Sequence, residues 1–120
     1  MGEEKRKAFR VKSSLTVQYC FDINSERKKW DITTVKDLSE SGVRFQAGKP
    51  FEVNTLIRLR FKIPARPDEL IEIDARVISC ESFKQSSISM LRAEFINISE
   101  EAKVLLQEYV LWMVKNQTLR

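Results

Sequence analysis

The run Ile57-Arg58-Leu59-Arg60-Phe61-Lys62-Ile63 alternates apolar and cationic residues without a break. Successive side chains of a strand point to opposite faces, so this pattern forms a two-faced β-strand and leaves no continuous apolar stripe for a helix. Other segments share the period. Leu15, Val17, Tyr19, Phe21 and Ile23 alternate with Thr16, Gln18, Cys20 and Asp22. Val43 and Phe45 alternate with Arg44 and Gln46, and Leu91, Ala93 and Phe95 with Arg92 and Glu94. Ile71, Ile73, Ala75 and Val77 alternate with Glu72, Asp74 and Arg76, in a strand that can continue to Cys80. Residues 30–36 are rich in β-branched side chains and read as a strand pairing back on the first.

Polar or Pro/Gly-bearing stretches at 24–29, 37–42, 47–54, 64–67 and 81–87 separate these runs. Six short, mostly single-faced strands in succession predict a mainly β fold, a six-stranded antiparallel barrel or sandwich. Across an antiparallel pair, the acidic face of 71–77 meets the basic face of 57–63. Such cross-strand pairs contribute roughly 0.2–1 kcal/mol each. That reads Arg58, Arg60 and Lys62 as a solvated, paired face in preference to a nucleic-acid stripe.

The last segment changes period. Ser99 is a good N-cap, and Glu100 and Glu101 suit the positive end of a helix dipole. Ala102, Leu105, Leu106, Tyr109 and Trp112 or Met113 then follow helical spacing, predicting a helix over about 99–116 that covers one end of the barrel. Val104, Val110, Leu111 and Val114 lie partly outside that stripe. They suggest a second contact, to a dimer mate or another domain.

The chain has 120 residues, enough for one domain with a modest core. No stretch approaches the roughly 20 apolar residues that span a bilayer, and the charged N-terminus has no signal-like apolar core. A cytoplasmic protein without membrane insertion is expected. Cys20 and Cys80 each fall within a strand and read as small core residues. The absence of His removes the usual zinc ligand, the usual partner of a catalytic serine and the usual general base, so no enzyme and no metal is expected.

The basic excess gathers at the start. Residues 1–12 carry five basic residues against two acidic ones, a net of +3 out of +4 for the whole chain. Residues 1–12 therefore read as a flexible basic arm, and 13–120 as the barrel domain with its helix. An arm of this kind suits a phosphate-bearing partner. Arg6 and Arg10, four residues apart, share a face whether the arm is helical or extended. Two guanidinium forks can reach separate groups of one ligand, a phosphate or the O6/N7 edge of guanine. The turn at 37–42 complements them. Asp37 accepts from guanine N–H groups, Ser39 donates to a phosphate or base, and Gly42 permits positive φ or a close approach.

Arg-x-x-x-Arg at Arg6 and Arg10, before a six-stranded barrel, and Asp-x-Ser-x-x-Gly at Asp37, Ser39 and Gly42, after the second strand, together resemble the PilZ domain. The likeness covers nearly the whole chain. It implies a split β-barrel with a C-terminal helix that binds cyclic di-GMP. It also implies that Arg6 and Arg10 grip guanine and phosphate, Asp37 and Ser39 contact a guanine and order the turn, and Gly42 allows close approach. The family often carries a further Arg just before the first motif Arg. Here Lys5 stands in that place, which bears on whether one ligand or a stacked pair is held. The resemblance further implies a switch that signals to a protein partner or fused domain, in motility, exopolysaccharide or virulence control. Two alternatives accompany it: a ligand-independent scaffold acting through the helix, and a small basic barrel for single-stranded nucleic acid. The second lacks aromatic residues interleaved on the cationic face.

Overall fold

The computed structural model describes residues 11–13, 15–21, 23–24, 26, 28–83, 85 and 87–118, with the backbone alone for 11, 12, 117 and 118. Lys5, Arg6 and Arg10 lie outside the described residues. Seven strands precede one helix: β1 (Val11–Lys12), β2 (Thr16–Cys20), β3 (Asp31–Leu38), β4 (Gly42–Ala47), β5 (Leu56–Phe61), β6 (Ile71–Ser82), β7 (Ser89–Ile96) and α1 (Glu100–Thr118). Strands β2 to β7 are the six that the sequence predicts, five by alternation and β3 by its β-branched content. Every pairing is antiparallel, in the order β3-β2-β5-β6-β7-β4, and β4 pairs back on β3 to close the ring. Closure leaves those six strands without a free edge. The two-residue β1 pairs with the end of β3 on the edge that β2 uses, opposite the edge taken by β4, with Val11 opposite Leu38 and Lys12 opposite Asp37.

The inward residues of each period-two run fill the barrel. Phe45, Ile57, Ala75, Val77 and Leu91 are wholly buried, with Val17, Tyr19, Val35, Leu59 and Ile73 beside them. Burying a Leu, Ile or Phe side chain contributes about 1.5–3 kcal/mol, so this row of apolar side chains dominates the fold's stability. The alternation of the first run stops early. Cys20, opposite Arg58 on the outer side of the strand, is nonetheless buried, and Phe21 is left partly exposed, edge-on to Phe51 at 5.4 Å with the Lys49 ammonium 3.7 Å from its ring centre. Strand β2 thus ends at Cys20, short of Ile23, where its pairing with β5 runs out.

Two bulges interrupt the ladders. Between Val35 and Asp37 β3 carries an extra residue against β4, and between Val77 and Ser79 β6 carries one against β7. Each resets which face the following residues occupy.

Helix α1 begins as its sequence predicts. The Ala102 amide donates to Ser99 Oγ at 3.1 Å, capping one of the otherwise unsatisfied N–H groups of the first turn. Ala102, Leu105, Leu106, Tyr109 and Val110 are buried and Met113 packs against the core. Of the two candidates for the end of the stripe, Met113 therefore belongs to it, whereas Trp112 is 53% exposed beside Val104 and Leu111. Val110, placed outside the stripe by spacing, joins the core instead. No helix among the described residues is long and apolar enough to cross a membrane.

Candidate functional site

The turn between β3 and β4 is built by its own side chains. Ser39 is 2% exposed, and its Oγ accepts from the amides of Ser41 and Gly42, each at 3.2 Å. The Ser39 amide donates to the Gly42 carbonyl at 3.0 Å, and the Phe95 amide to the Ser41 carbonyl at 2.9 Å, tying the turn to β7. The hydroxyl that sequence reasoning aimed at a ligand therefore shapes the backbone beneath it.

Gly42 has a different reason to be glycine from the one its turn position suggests. Its φ is not positive. A Cβ built there would lie 2.5 Å from the Ala93 carbonyl oxygen, a backbone atom of β7. The missing side chain lets β4 and β7 approach.

Asp37 sits at the end of β3, just beyond the first bulge, and is 6% exposed. Arg44 Nε donates to its Oδ2 at 2.7 Å. A carboxylate at this depth needs such a partner, because removing it from water is costly otherwise. Arg44 was not among the residues singled out from sequence. Its parity, between inward Val43 and Phe45, shows that it faces outward; that it stands opposite Asp37 follows only from the register.

The registers extend this pair into a row. Lys12 is opposite Asp37, Asp37 opposite Arg44, Arg44 opposite Arg92 and Arg92 opposite Ser79. At about 4.8 Å between neighbouring strands, the row crosses β1, β3, β4, β7 and β6 over roughly 19 Å. It begins at the root of the segment carrying Arg6 and Arg10.

Two contacts tie this corner to α1. Gln107 Nε2 donates to Glu40 Oε1 at 3.2 Å, and the hydroxyls of Tyr109 and Ser13 are hydrogen-bonded at 3.2 Å. One helical turn thus touches both the β3–β4 turn and the residue that follows β1.

The cationic side of β5 is engaged elsewhere. Arg58 is opposite Asp74 and donates to it at 2.7 Å. That hydrogen bond raises the guanidinium's pKa above its ordinary value, against the opposing effect of burial. Arg60 donates to Gln18 at 2.7 Å and lies 3.9 Å over the Trp30 ring. The fold therefore brings an aromatic ring to a face that looks bare of them in sequence, but the ring is covered by the arginine. Both cysteines are free thiols. No three His, Cys, Asp or Glu side chains among the described residues form a metal-sized cluster.

A family model described as the PilZ domain matches residues 4–112. Among solved structures, the inhibitor of motility MotI/DgrA of Bacillus subtilis superposes with a TM-score of 0.74 at 19% identity, over 96% of this chain and 52% of that one. The PilZ domain of Escherichia coli YcgR, solved with c-di-GMP, gives 0.69 at 17% identity over 94% of each chain. The complex of Klebsiella pneumoniae MrkH with c-di-GMP gives 0.70 at 12% identity, over 96% of this chain and 55% of that one. This chain thus spans about half the length of two of these three. No curated protein matches it by sequence.

Proposed function

The chain belongs to the PilZ domain family, and from that premise we propose that it is a receptor for cyclic di-GMP that signals by conformational change, not a catalyst. The observation that carries this reading is the Asp37–Arg44 pair at 2.7 Å, set on a serine-capped turn at the foot of β1. Arg6 and Arg10 precede that strand by a few residues in the sequence. In this reading their forks grip guanine and phosphate, Lys5 adds charge, and Asp37 accepts from a guanine edge. Ser39 and Gly42 hold the turn and its strand in place for Asp37.

Ordering of the arm, residues 1–12, around the dinucleotide would supply the switch. Because Ser13 and Glu40 are both hydrogen-bonded to α1, a change at either half of the clamp reaches the helix. The exposed Leu111 and Trp112 then present the change to a protein partner, a fused domain or a second copy. The reading places the protein in the cytoplasm, where the dinucleotide is made.

Titration calorimetry with cyclic di-GMP tests it. Saturable binding at micromolar ligand is expected; no heat at tens of micromolar ligand removes the reading. A scaffold that needs no ligand would instead bind its partner equally well with and without the dinucleotide.

A further inference from the structure

Helix α1 carries a second apolar stripe on the side turned away from the barrel. Val104, Leu111 and Trp112 are 48%, 54% and 53% exposed. Val104 and Leu111 stand two helical turns apart, about 10 Å, on one line of the helix, and Trp112 lies beside Leu111. Glu108 falls between them on the same side and is held by Arg66, whose Nη2 donates to its two oxygens at 3.3 and 3.4 Å. A cavity of about 450 Å³ adjoins the stripe, walled mainly by Ile63, Pro64, Ala65, Tyr109 and Trp112. It extends the apolar surface from the helix to the loop after β5. Exposed apolar surface gathered in this way marks an interaction face.

The charges at the two ends of the stripe select its occupant. Glu100 and Glu101 lie in the first turn of α1 and Lys115 in the last. All three are exposed, and none makes a side-chain hydrogen bond or ion pair with a described residue. A second copy of α1 laid antiparallel, centred between Gln107 and Glu108, sets the partner's Leu111 against Val104. It also sets the partner's Lys115 against Glu100 and Glu101. Two-fold symmetry repeats each of these contacts. At the centre Glu108 is nearest the partner's Gln107, so two carboxylates do not meet there. A parallel pair would instead place acid on acid at one end and lysine on lysine at the other, with the two helix dipoles aligned. Flanking charges of this kind set partner choice and orientation in helix pairs.

We propose that two copies of this chain associate through antiparallel α1 helices. Leu111 and Trp112 are the apolar anchors, and contacts between Glu101 and Lys115 across the two-fold set the direction. The inference commits to a second copy the helix face that the receptor reading leaves open to several partners. It does not depend on cyclic di-GMP, so either reading can fail while the other stands. One helix pair is a small interface, and the dimer is accordingly weak, with a dissociation constant on the order of 10–100 μM.

Sedimentation of the intact chain over a range of concentrations spanning that constant, without ligand, is the test. The parent is expected to pass from monomer to dimer as concentration rises. Leu111→Ser should weaken the dimer by about tenfold or more, the scale of a buried anchor at an interface. Leu111 is exposed in the single chain, so this change leaves the core untouched. Glu101→Lys and Lys115→Glu each put like charges together across the two-fold, and each should self-associate less than the parent. An equimolar mixture of these two variants restores both opposite-charge contacts and should dimerise better than either alone. A variant that merely misfolds would not be rescued by mixing. A parent that stays monomeric throughout overturns the inference and leaves the face to a different protein or domain. So does a Leu111→Ser variant that dimerises like the parent, or a mixture no better than its components.

Discussion

Asp37 illustrates how one side chain can serve fold and ligand together. Arg44 compensates its burial, yet that arginine is itself 39% exposed, so the pair contributes little to stability. Asp37→Asn should therefore cost no more than about 1 kcal/mol in a denaturant melt. Its affinity for cyclic di-GMP should fall by about tenfold or more, because an amide cannot accept on both atoms from guanine's N–H edge. A variant that melts early and binds normally would make Asp37 purely architectural. Gly42→Ala should behave the other way. The new methyl group meets the Ala93 carbonyl at 2.5 Å, and two backbones must part to admit it. A loss of about 1–3 kcal/mol is expected in the same melt. If Gly42→Ala is neutral, β4 and β7 are less tightly held than these positions indicate. Ser39 stands between these cases, since its oxygen satisfies two amides.

At the scale of elements, period-two alternation located five of the barrel strands, β-branched content located β3, and helical spacing with Ser99 located α1. The misses are informative. Phe21 and Ile23 continue the alternation of β2, but nothing in their own sequence shows that the pairing with β5 stops at Arg58. The bulges at Lys36 and Ile78 were equally illegible, because a bulge is a mismatch between two strands and neither strand carries it alone. The Asp37–Arg44 contact follows from the first bulge and could be found only once the register was known. The turn was legible as a motif, but the physical role of its glycine was not, since the contacting atom belongs to a strand about fifty residues away. The helix cap was read correctly, and Ser99→Ala should lower stability by about 1 kcal/mol. The Gln107–Glu40 and Tyr109–Ser13 contacts make a separate prediction for signalling. Tyr109→Phe should leave the core packing intact and remove the Ser13 bond. Hydrogen exchange in α1 should then respond less to cyclic di-GMP than it does in the parent; an identical response would exclude this contact as the link.

For the whole molecule, a closed barrel plugged by a helix presents a rigid wall against which a charged segment can fold. Its stability should also reveal its buried acids. Burial pushes the Cys20 thiol up, against the pull of the nearby Arg58 charge, and burial followed by Asp31's charge raises the Tyr19 hydroxyl. Both groups stay protonated in the fold while the unfolded chain releases its protons first. Stability should thus fall as pH rises through the ordinary thiol value of about 8.5, and further near 10 as tyrosine ionises. Urea melts between pH 7 and 10.5 would read this, and Cys20→Ala should flatten the first part of the decline.

In the proposed receptor, the basic segment and the Asp37 turn form one clamp for cyclic di-GMP. The most direct measurement is calorimetric titration of the parent beside Arg6→Ala and Arg10→Ala. Saturable binding by the parent is expected, weakened in each variant by about 1–3 kcal/mol, roughly 5- to 150-fold in Kd. Variants that bind as tightly as the parent would contradict it.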